Sequence, residues 1–335
     1  MTIRTGLLGY GLGGRAFHVP LIRATPGLEL AAVATSKTVP GLPTVPDPRT
    51  IIGDPGIDLV IVSTPNDTHH PLACAALDAG KHVVIDKPFA VTLGEADDLI
   101  ARANARGLKL SVFHNRRWDG DFLTVRTLLA SGVLGEVMRY EAHWDRFRPV
   151  PADSWKEQAG PGRGVLVDLG PHLIDQALIL FGAPDRIDGD VERQREGSQV
   201  DDYFAITFHY GNRRVIMTSS LLAADPRPRF GIYGSKGSFV KYGLDPQEAQ
   251  AQAGLNPDDP EFGVEDAQFH GKLTLADGTS ERVPSERGDY RAFYVAMAAA
   301  IADGAPVPVD PADARAGMAI IAAAASRPEG GAPAA

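Results

Sequence analysis

Apolar runs and helical stretches alternate through the first third of the chain. Residues 3–8, 28–35, 58–63, 82–86 and 109–113 read as strands. The third and fourth are dense in β-branched residues with little alternation, as strands buried on both faces should be. Between the strands, residues 14–24, 71–79 and 92–106 carry helical spacing. Pro20 complicates the first of these, and Gly80 and Gly107 stop the other two. Strands separated by helices predict a mostly parallel sheet covered on both sides.

The pattern changes after about residue 120. Residues 122–130 are helix-like, and 137–147, 203–210, 214–219, 230–233 and 273–275 read as strands. Tyr210-Gly211-Asn212-Arg213, Gly234 to Gly237 and 276–279 have the composition of tight turns between them. Strands without intervening helices predict a largely antiparallel open sheet with helices on one face. One helix, about 168–181, interrupts it early, its start set near Leu169 or Gly170 by Pro171. Two more, about 289–302 and 311–325, close the chain. Residues 243–261 are polar, broken by Pro and Gly, and read as a surface excursion. The expected division is a parallel α/β domain over 1–120, a largely antiparallel sheet domain over 121–327, and a flexible tail over 328–335.

Composition narrows the function. Of 335 residues, 44% are hydrophobic and 22% charged, the make-up of an ordered globular protein. The net charge of −9 argues against nucleic acid as a partner, and no apolar run reaches the length of a membrane span. No secretory leader precedes the first strand, so a cytoplasmic location is expected. Cys74 is the one cysteine, which excludes an internal disulfide; its apolar setting reads as core.

The strongest local motif is Gly9-Tyr10-Gly11-Leu12-Gly13-Gly14, a G-x-G-x-x-G between a strand and a helix. Such a loop turns tightly, lets the backbone approach a pyrophosphate and opens helix amides toward it. The second strand ends in Thr35-Ser36-Lys37, with no acidic residue before Asp47. A ribose diol wants a carboxylate there, whereas a 2′-phosphate wants hydroxyl and cationic groups, so NADP is expected over NAD.

Three more clusters fall at strand ends, where open α/β sheets bind ligands. They are Ser63-Thr64-Pro65-Asn66-Asp67-Thr68-His69, then Asp86-Lys87-Pro88, then His114-Asn115-Arg116-Arg117-Trp118-Asp119. Lys87 follows a buried strand and can reach a nicotinamide or a substrate hydroxyl. In the second half, Asp168 and His172 stand four residues apart, with Asp175 three further on; a carboxylate beside an imidazole can orient it and raise its basicity. Tyr10, Trp118, Trp144 and Trp155 offer aromatic faces for a polyol or sugar. No metal is expected, since Lys is rarely a ligand and no third good one shares the 168–175 segment.

Together these residues resemble the family of glucose–fructose oxidoreductase, inositol dehydrogenase and rhizopine-catabolism proteins (Gfo/Idh/MocA) over nearly the whole chain. The family's E-K-P motif is matched by Asp86-Lys87-Pro88, with Asp for Glu, and its G-G-G-x-x-x-D-x-G-x-H-x-x-D pattern by Gly162, Gly164, Asp168, Gly170, His172 and Asp175. Arg163 replaces the middle glycine. The opening from Gly9 through His18 and Pro20 resembles the branch containing NADP-dependent scyllo-inositol dehydrogenase, as does Asn115 to Asp119.

The resemblance implies a Rossmann domain followed by an open, mostly antiparallel sheet domain, and a constrained bend at the proline that aims Lys87. It implies that the cofactor is held by Gly9, Tyr10, Gly11, Leu12, Gly13, Gly14, Ser36, Lys37, Ser63, Thr64, Pro65, Asn66, His69, Lys87, Arg116 and Trp118. It implies a small polyol or sugar substrate at Lys87, Trp155, Asp168 and His172, in a homodimer or homotetramer. In the expected reaction His172 takes the hydroxyl proton, Lys87 steadies the developing alkoxide and Asp168 orients the group. The rival readings are an aldose or dihydrodiol oxidoreductase of the same family and an NADP-binding regulatory protein without turnover.

Overall fold

The computed structural model describes residues 2–39 and 41–326; the expected tail, 328–335, lies outside the described residues. The chain divides into two units. The first comprises 1–131, 243–271 and 282–315, and the second 132–242, 272–281 and 316–335.

The first unit is built on six strands: β1 (Ile3–Leu8), β2 (Leu28–Ala34), β3 (Thr44–Val45), β4 (Leu59–Val62), β5 (His82–Ile85) and β6 (Leu110–Val112). They are ordered β3-β2-β1-β4-β5-β6 and every pairing is parallel. All four residues of β4 are buried, as its unbroken apolar run required. Strand order reverses beside β1, so the ends of β1 and β4 border the crevice where such sheets take ligands.

The helices of this unit are α1 (Val19–Arg23), α2 (Pro48–Gly53), α3 (His69–Asp78), α4 (Leu93–Arg106) and α5 (Gly120–Ser131). Thr92 accepts from the Glu95 amide while the Glu95 side chain accepts from the Thr92 amide, a reciprocal cap that fixes the start of α4. The helix expected over 14–24 is instead two pieces. A wide π-type turn covers Gly13–His18, and α1 begins after it with Pro20 in its first turn, where the missing N–H is harmless.

The second unit carries an eight-stranded sheet: β7 (Val137–His143), β8 (Arg186–Glu192), β9 (Tyr203–Tyr210), β10 (Arg213–Ser220), β11 (Phe230–Gly234), β12 (Gly237–Lys241), β13 (Gly271–Leu275) and β14 (Ser280–Val283), ordered β14-β13-β12-β11-β7-β10-β9-β8. It is largely antiparallel, as expected, with β7 running parallel to β10 at its centre. Tyr210 pairs with Arg213 across the expected hairpin. Along β9, Phe204, Ile206 and Phe208 are buried while Tyr203, Ala205, Thr207 and His209 are half-buried on the other face.

The helix α6 (Val165–Phe181) packs on β9 and β10. It buries Leu166, Leu169, Leu173, Ile174 and Ala177. Each Leu or Ile so buried contributes about 1.5–3 kcal/mol relative to exposure.

The helix expected to start near Leu169 starts at Val165, with Pro171 inside it. The cause lies 35 residues on: the Asp201 carboxylate accepts the Leu166 amide at 2.6 Å and its carbonyl accepts the Val165 amide at 2.9 Å. These bonds anchor a first turn that local sequence does not announce.

The segment 243–261 is not a surface excursion. It belongs to the first unit and holds α7 (Gln247–Gln252). Asp245 accepts the Gly120 amide at 2.7 Å, and fully buried Gln247 bridges the Trp118 carbonyl and the Tyr290 amide. The chain closes with α8 (Arg291–Asp303), packed against α1, and α9 (Pro311–Ala325).

Cys74 is not a core residue. It is half-buried, with Sγ 3.3 Å from His70 Nε2 and 3.4 Å from Asp98 Oδ2. Burial and the Asp98 carboxylate push its thiol up to about 11.

Candidate functional site

The glycine loop leaves β1 with Gly9 at φ +102, a left-handed backbone that other residues rarely adopt. A Cβ on Gly9 would lie 2.1 Å from the Ser63 carbonyl oxygen, and one on Gly14 would lie 2.4 Å from the Gly9 carbonyl oxygen. These two glycines let neighbouring backbones close up. Gly11 differs: a Cβ there would meet nothing within 4 Å, and the residue is exposed. The loop is thus tight beneath and open above at Gly11, between half-buried Tyr10 and exposed Leu12. That shape fits a nucleotide pyrophosphate against bare backbone.

The end of β2 fits as well. Ser36 and Lys37 are exposed beside Thr35, whose Oγ1 accepts the Lys37 amide at 3.2 Å. No carboxylate stands in this turn.

One carboxylate ties the loop to the lysine segment. Asp86 Oδ2 accepts the Ser63 hydroxyl at 2.9 Å, and Oδ1 accepts the Lys87 amide at 3.0 Å. His18 Nε2 lies 3.4 Å from Oδ2, and His18 Nδ1 lies 2.6 Å from the Tyr294 hydroxyl. With Nε2–H facing Asp86, Nδ1 is free to accept from tyrosine. Burial alone would raise Asp86, but the hydrogen bond from His18 and the nearby charge of Lys87 hold it well below the usual carboxylate range. Gly13 borders this group: a Cβ there would stand 2.8 Å from both Asp86 Oδ2 and Ser63 Oγ. Lys87 follows, half-buried, with a cis bond to Pro88.

His69 is buried and braces two loops, with Nδ1 2.8 Å from the Pro88 carbonyl oxygen and Nε2 2.9 Å from that of Thr64. Thr68 Oγ1 lies 2.6 Å from both Thr64 Oγ1 and the Pro65 carbonyl oxygen, closing the turn that presents half-buried Asn66.

Arg116 and Trp118 follow β6. Arg116 is buried; it donates to the Tyr290 hydroxyl at 2.7 Å and to Glu248, and lies 3.5 Å from Asp119. Tyr290 in turn donates to Asp119 at 2.6 Å. Burial pushes Asp119 well up, with the Asp245 and Asp121 charges adding to it and Arg116 opposing. The half-buried Trp118 ring meets Phe293 edge to face at 5.8 Å.

In the second unit, Asp168 and His172 share one face of α6. Asp168 accepts from Lys156 Nζ at 2.9 Å and lies 3.9 Å from Arg146. His172 is buried and packs on the Trp144 ring, centroids 5.8 Å apart and planes 30° apart. Asp175 is buried one turn on. The backbone ahead of the helix is left-handed at Gly164, φ +98, where a Cβ would strike Asp201 Oδ1 at 2.0 Å. Arg163 folds back on its own loop, donating to the Ala159 carbonyl at 3.2 Å. The side chain of Trp155 lies outside the described part of the structure.

Each unit therefore gathers its own share of the expected residues: Gly9 to Gly14, Ser63 and Lys87 in the first, Asp168 and His172 in the second. Sequence reasoning missed the roles of His18, Tyr294, Lys156 and Asp201. His18 had a signal, one turn past the glycine loop. Asp201 and Tyr294 had none, since each acts across a long sequence separation.

Two domain profiles match the chain. Residues 3–114 fit the oxidoreductase family's NAD-binding Rossmann fold and residues 126–335 its C-terminal alpha/beta domain. The uncharacterised oxidoreductase YdgJ of Escherichia coli is 48% identical, covering 92% of each chain. The scyllo-inositol 2-dehydrogenase (NADP(+)) IolW of Bacillus subtilis is 40% identical, covering 92% of this chain and 88% of its own. A Yersinia pestis structure, YPO2259, described as an oxidoreductase, superposes with a TM-score of 0.91 at 46% identity, covering 96% of this chain and 94% of that one.

Proposed function

Since the chain belongs to the Gfo/Idh/MocA oxidoreductase family, with its NAD-binding Rossmann fold and C-terminal alpha/beta domain, we propose that it uses NADP(H) and interconverts a secondary alcohol and ketone of a cyclic polyol or sugar of the scyllo-inositol kind. The observation that carries this reading is the shared carboxylate of Asp86. It lies against the nucleotide loop at Gly13 and takes the backbone amide of Lys87, so cofactor loop and lysine are placed by one group.

Gly9 to Gly14, with Ser63 to Asn66 and His69, would hold the dinucleotide, and Ser36 and Lys37 its 2′-phosphate. Arg116 and Trp118 would flank the same edge. When bound, the nicotinamide supplies hydride exchange at the carbinol carbon. The Lys87 ammonium donates a hydrogen bond to the substrate oxygen as charge develops on it. His172 takes the hydroxyl proton in oxidation and returns it in reduction. Asp168, with Trp155, orients the substrate hydroxyls. Assembly as a homodimer or homotetramer is supported by the second β9 face, where Tyr203, Ala205, Thr207 and His209 are only half-buried and a second copy could cover them.

The test is tryptophan-fluorescence titration with NADPH and with NADH, followed by turnover of inositols and aldoses with NADP+. NADPH binding at least tenfold tighter, about 1.4 kcal/mol, and oxidation of an inositol support the reading. A preference for NADH, or turnover of aldoses alone, overturns the cofactor or the substrate assignment respectively.

A further inference from the structure

Away from the residues assigned above, three different metal-ligating side chains converge between α3 and α4. His70 and Cys74 stand one turn apart on α3, and Asp98 faces them from α4. Cys74 Sγ is 3.3 Å from His70 Nε2 and 3.4 Å from Asp98 Oδ2, and Nε2 is 2.9 Å from Oδ2. All three are half-buried, so water reaches their open side.

We propose that His70, Cys74 and Asp98 form a binding site for a zinc-class divalent cation.

In a nucleophilic cysteine–histidine–aspartate relay, the imidazole gives one nitrogen to sulfur and the other to the carboxylate. Here the same nitrogen, Nε2, faces both, so proton relay through the ring is not what the arrangement serves. Three donor atoms pointing at one another around a common centre is instead the geometry of a coordination shell.

Zinc bonds of about 2.0–2.3 Å in a tetrahedral shell put neighbouring donor atoms about 3.3–3.6 Å apart. The observed separations match or need to open by only a few tenths of an ångström. Thiolate, imidazole and carboxylate together suit zinc over magnesium or calcium, and three protein ligands leave one position for water.

The surrounding charges permit the exchange. Arg102 Nε donates to the same Asp98 Oδ2 at 2.8 Å and is the counter-charge that the metal would replace. Arg102 also reaches Asp78 at 3.2 Å, so it keeps a carboxylate, one it shares with Arg106 at 2.5 Å, when it gives up Asp98. On binding, the Cys74 S–H bond breaks, a metal–sulfur bond forms and one proton goes to solvent; no electron is transferred.

The experiment uses the full chain without an affinity tag, treated with chelator and dialysed. Co2+ is the probe, because a cobalt–thiolate bond gives a charge-transfer band in the near ultraviolet. The expected result is one Co2+ per chain with that band, displaced by Zn2+, and a higher Tm with Zn2+. Cys74→Ser should abolish the band, and His70→Ala should weaken Zn2+ binding at least tenfold against a chromogenic chelator. Circular dichroism confirms that each variant is folded, and Asp98→Asn replaces any that is not. Absence of a cobalt–thiolate band in the native chain, or equal Zn2+ affinity in folded His70→Ala, overturns the proposal.

Discussion

Gly13 and Asp86 face each other across the first unit so closely that a Cβ on the glycine would lie 2.8 Å from the carboxylate oxygen. The loop that opens the nucleotide site and the turn that carries Lys87 are therefore one packed assembly. Ser63 and His18 complete it, each meeting the same Oδ2. A change at Gly13 or Asp86 therefore reaches both the loop and the turn.

Gly11 and Gly14 separate a cofactor role from a packing role. Gly11→Ala adds a methyl to open space, so the Tm should stay unchanged while NADPH binds at least tenfold more weakly. Gly14→Ala drives its methyl into the Gly9 carbonyl and should cost about 1–3 kcal/mol of stability. Urea unfolding and fluorescence titration of both variants check this. Full NADPH affinity in Gly11→Ala would remove the pyrophosphate from this loop.

Lys37→Glu places at the end of β2 the carboxylate that a ribose diol prefers and a 2′-phosphate does not. The ratio of NADPH to NADH affinity should fall at least tenfold. An unchanged ratio would move the discriminating group elsewhere.

Lys87→Met should lower turnover by roughly 10²-fold or more while leaving the dissociation constant for NADPH within about twofold. The residue follows β5, and the backbone amide that Asp86 accepts is kept in the variant, so this hydrogen bond of the turn survives the change. Single-turnover kinetics with the best inositol substrate provide the measurement. A native rate would exclude Lys87 from the reaction.

Asp201 gives the stability a pH dependence that can be removed. Burial pushes its carboxyl up to about 6, against an ordinary value near 3.8. The folded chain thus holds this proton more tightly than the unfolded chain. Its contribution is greatest below about pH 4 and declines as pH rises toward 6. Asp201→Asn keeps an oxygen for the Leu166 amide but cannot ionise, so the decline between pH 4 and 6 should flatten. Urea unfolding across that range decides it; an unchanged slope assigns the titration to another group.

What was legible in the chain was whatever depends on neighbours in sequence. β1, β9 and the closing helices follow from apolar periodicity, and the nucleotide loop follows from glycines between a strand and a helix. Lys87, Asp168 and His172 stand out as candidates by residue type, spacing and resemblance. Their joint action remains the proposal above.

Tertiary structure decided what depends on residues far apart. The start of α6 at Val165 is set by Asp201, and the place of 243–261 in the first unit by buried Asp245 and Gln247. Cys74 left the expected core for His70 and Asp98 because a second helix brought the carboxylate to it. Periodicity reports which face of a segment is apolar. It does not report which distant polar group will satisfy a helix end or a buried amide, and those long-range hydrogen bonds settle where this chain's ambiguous segments go.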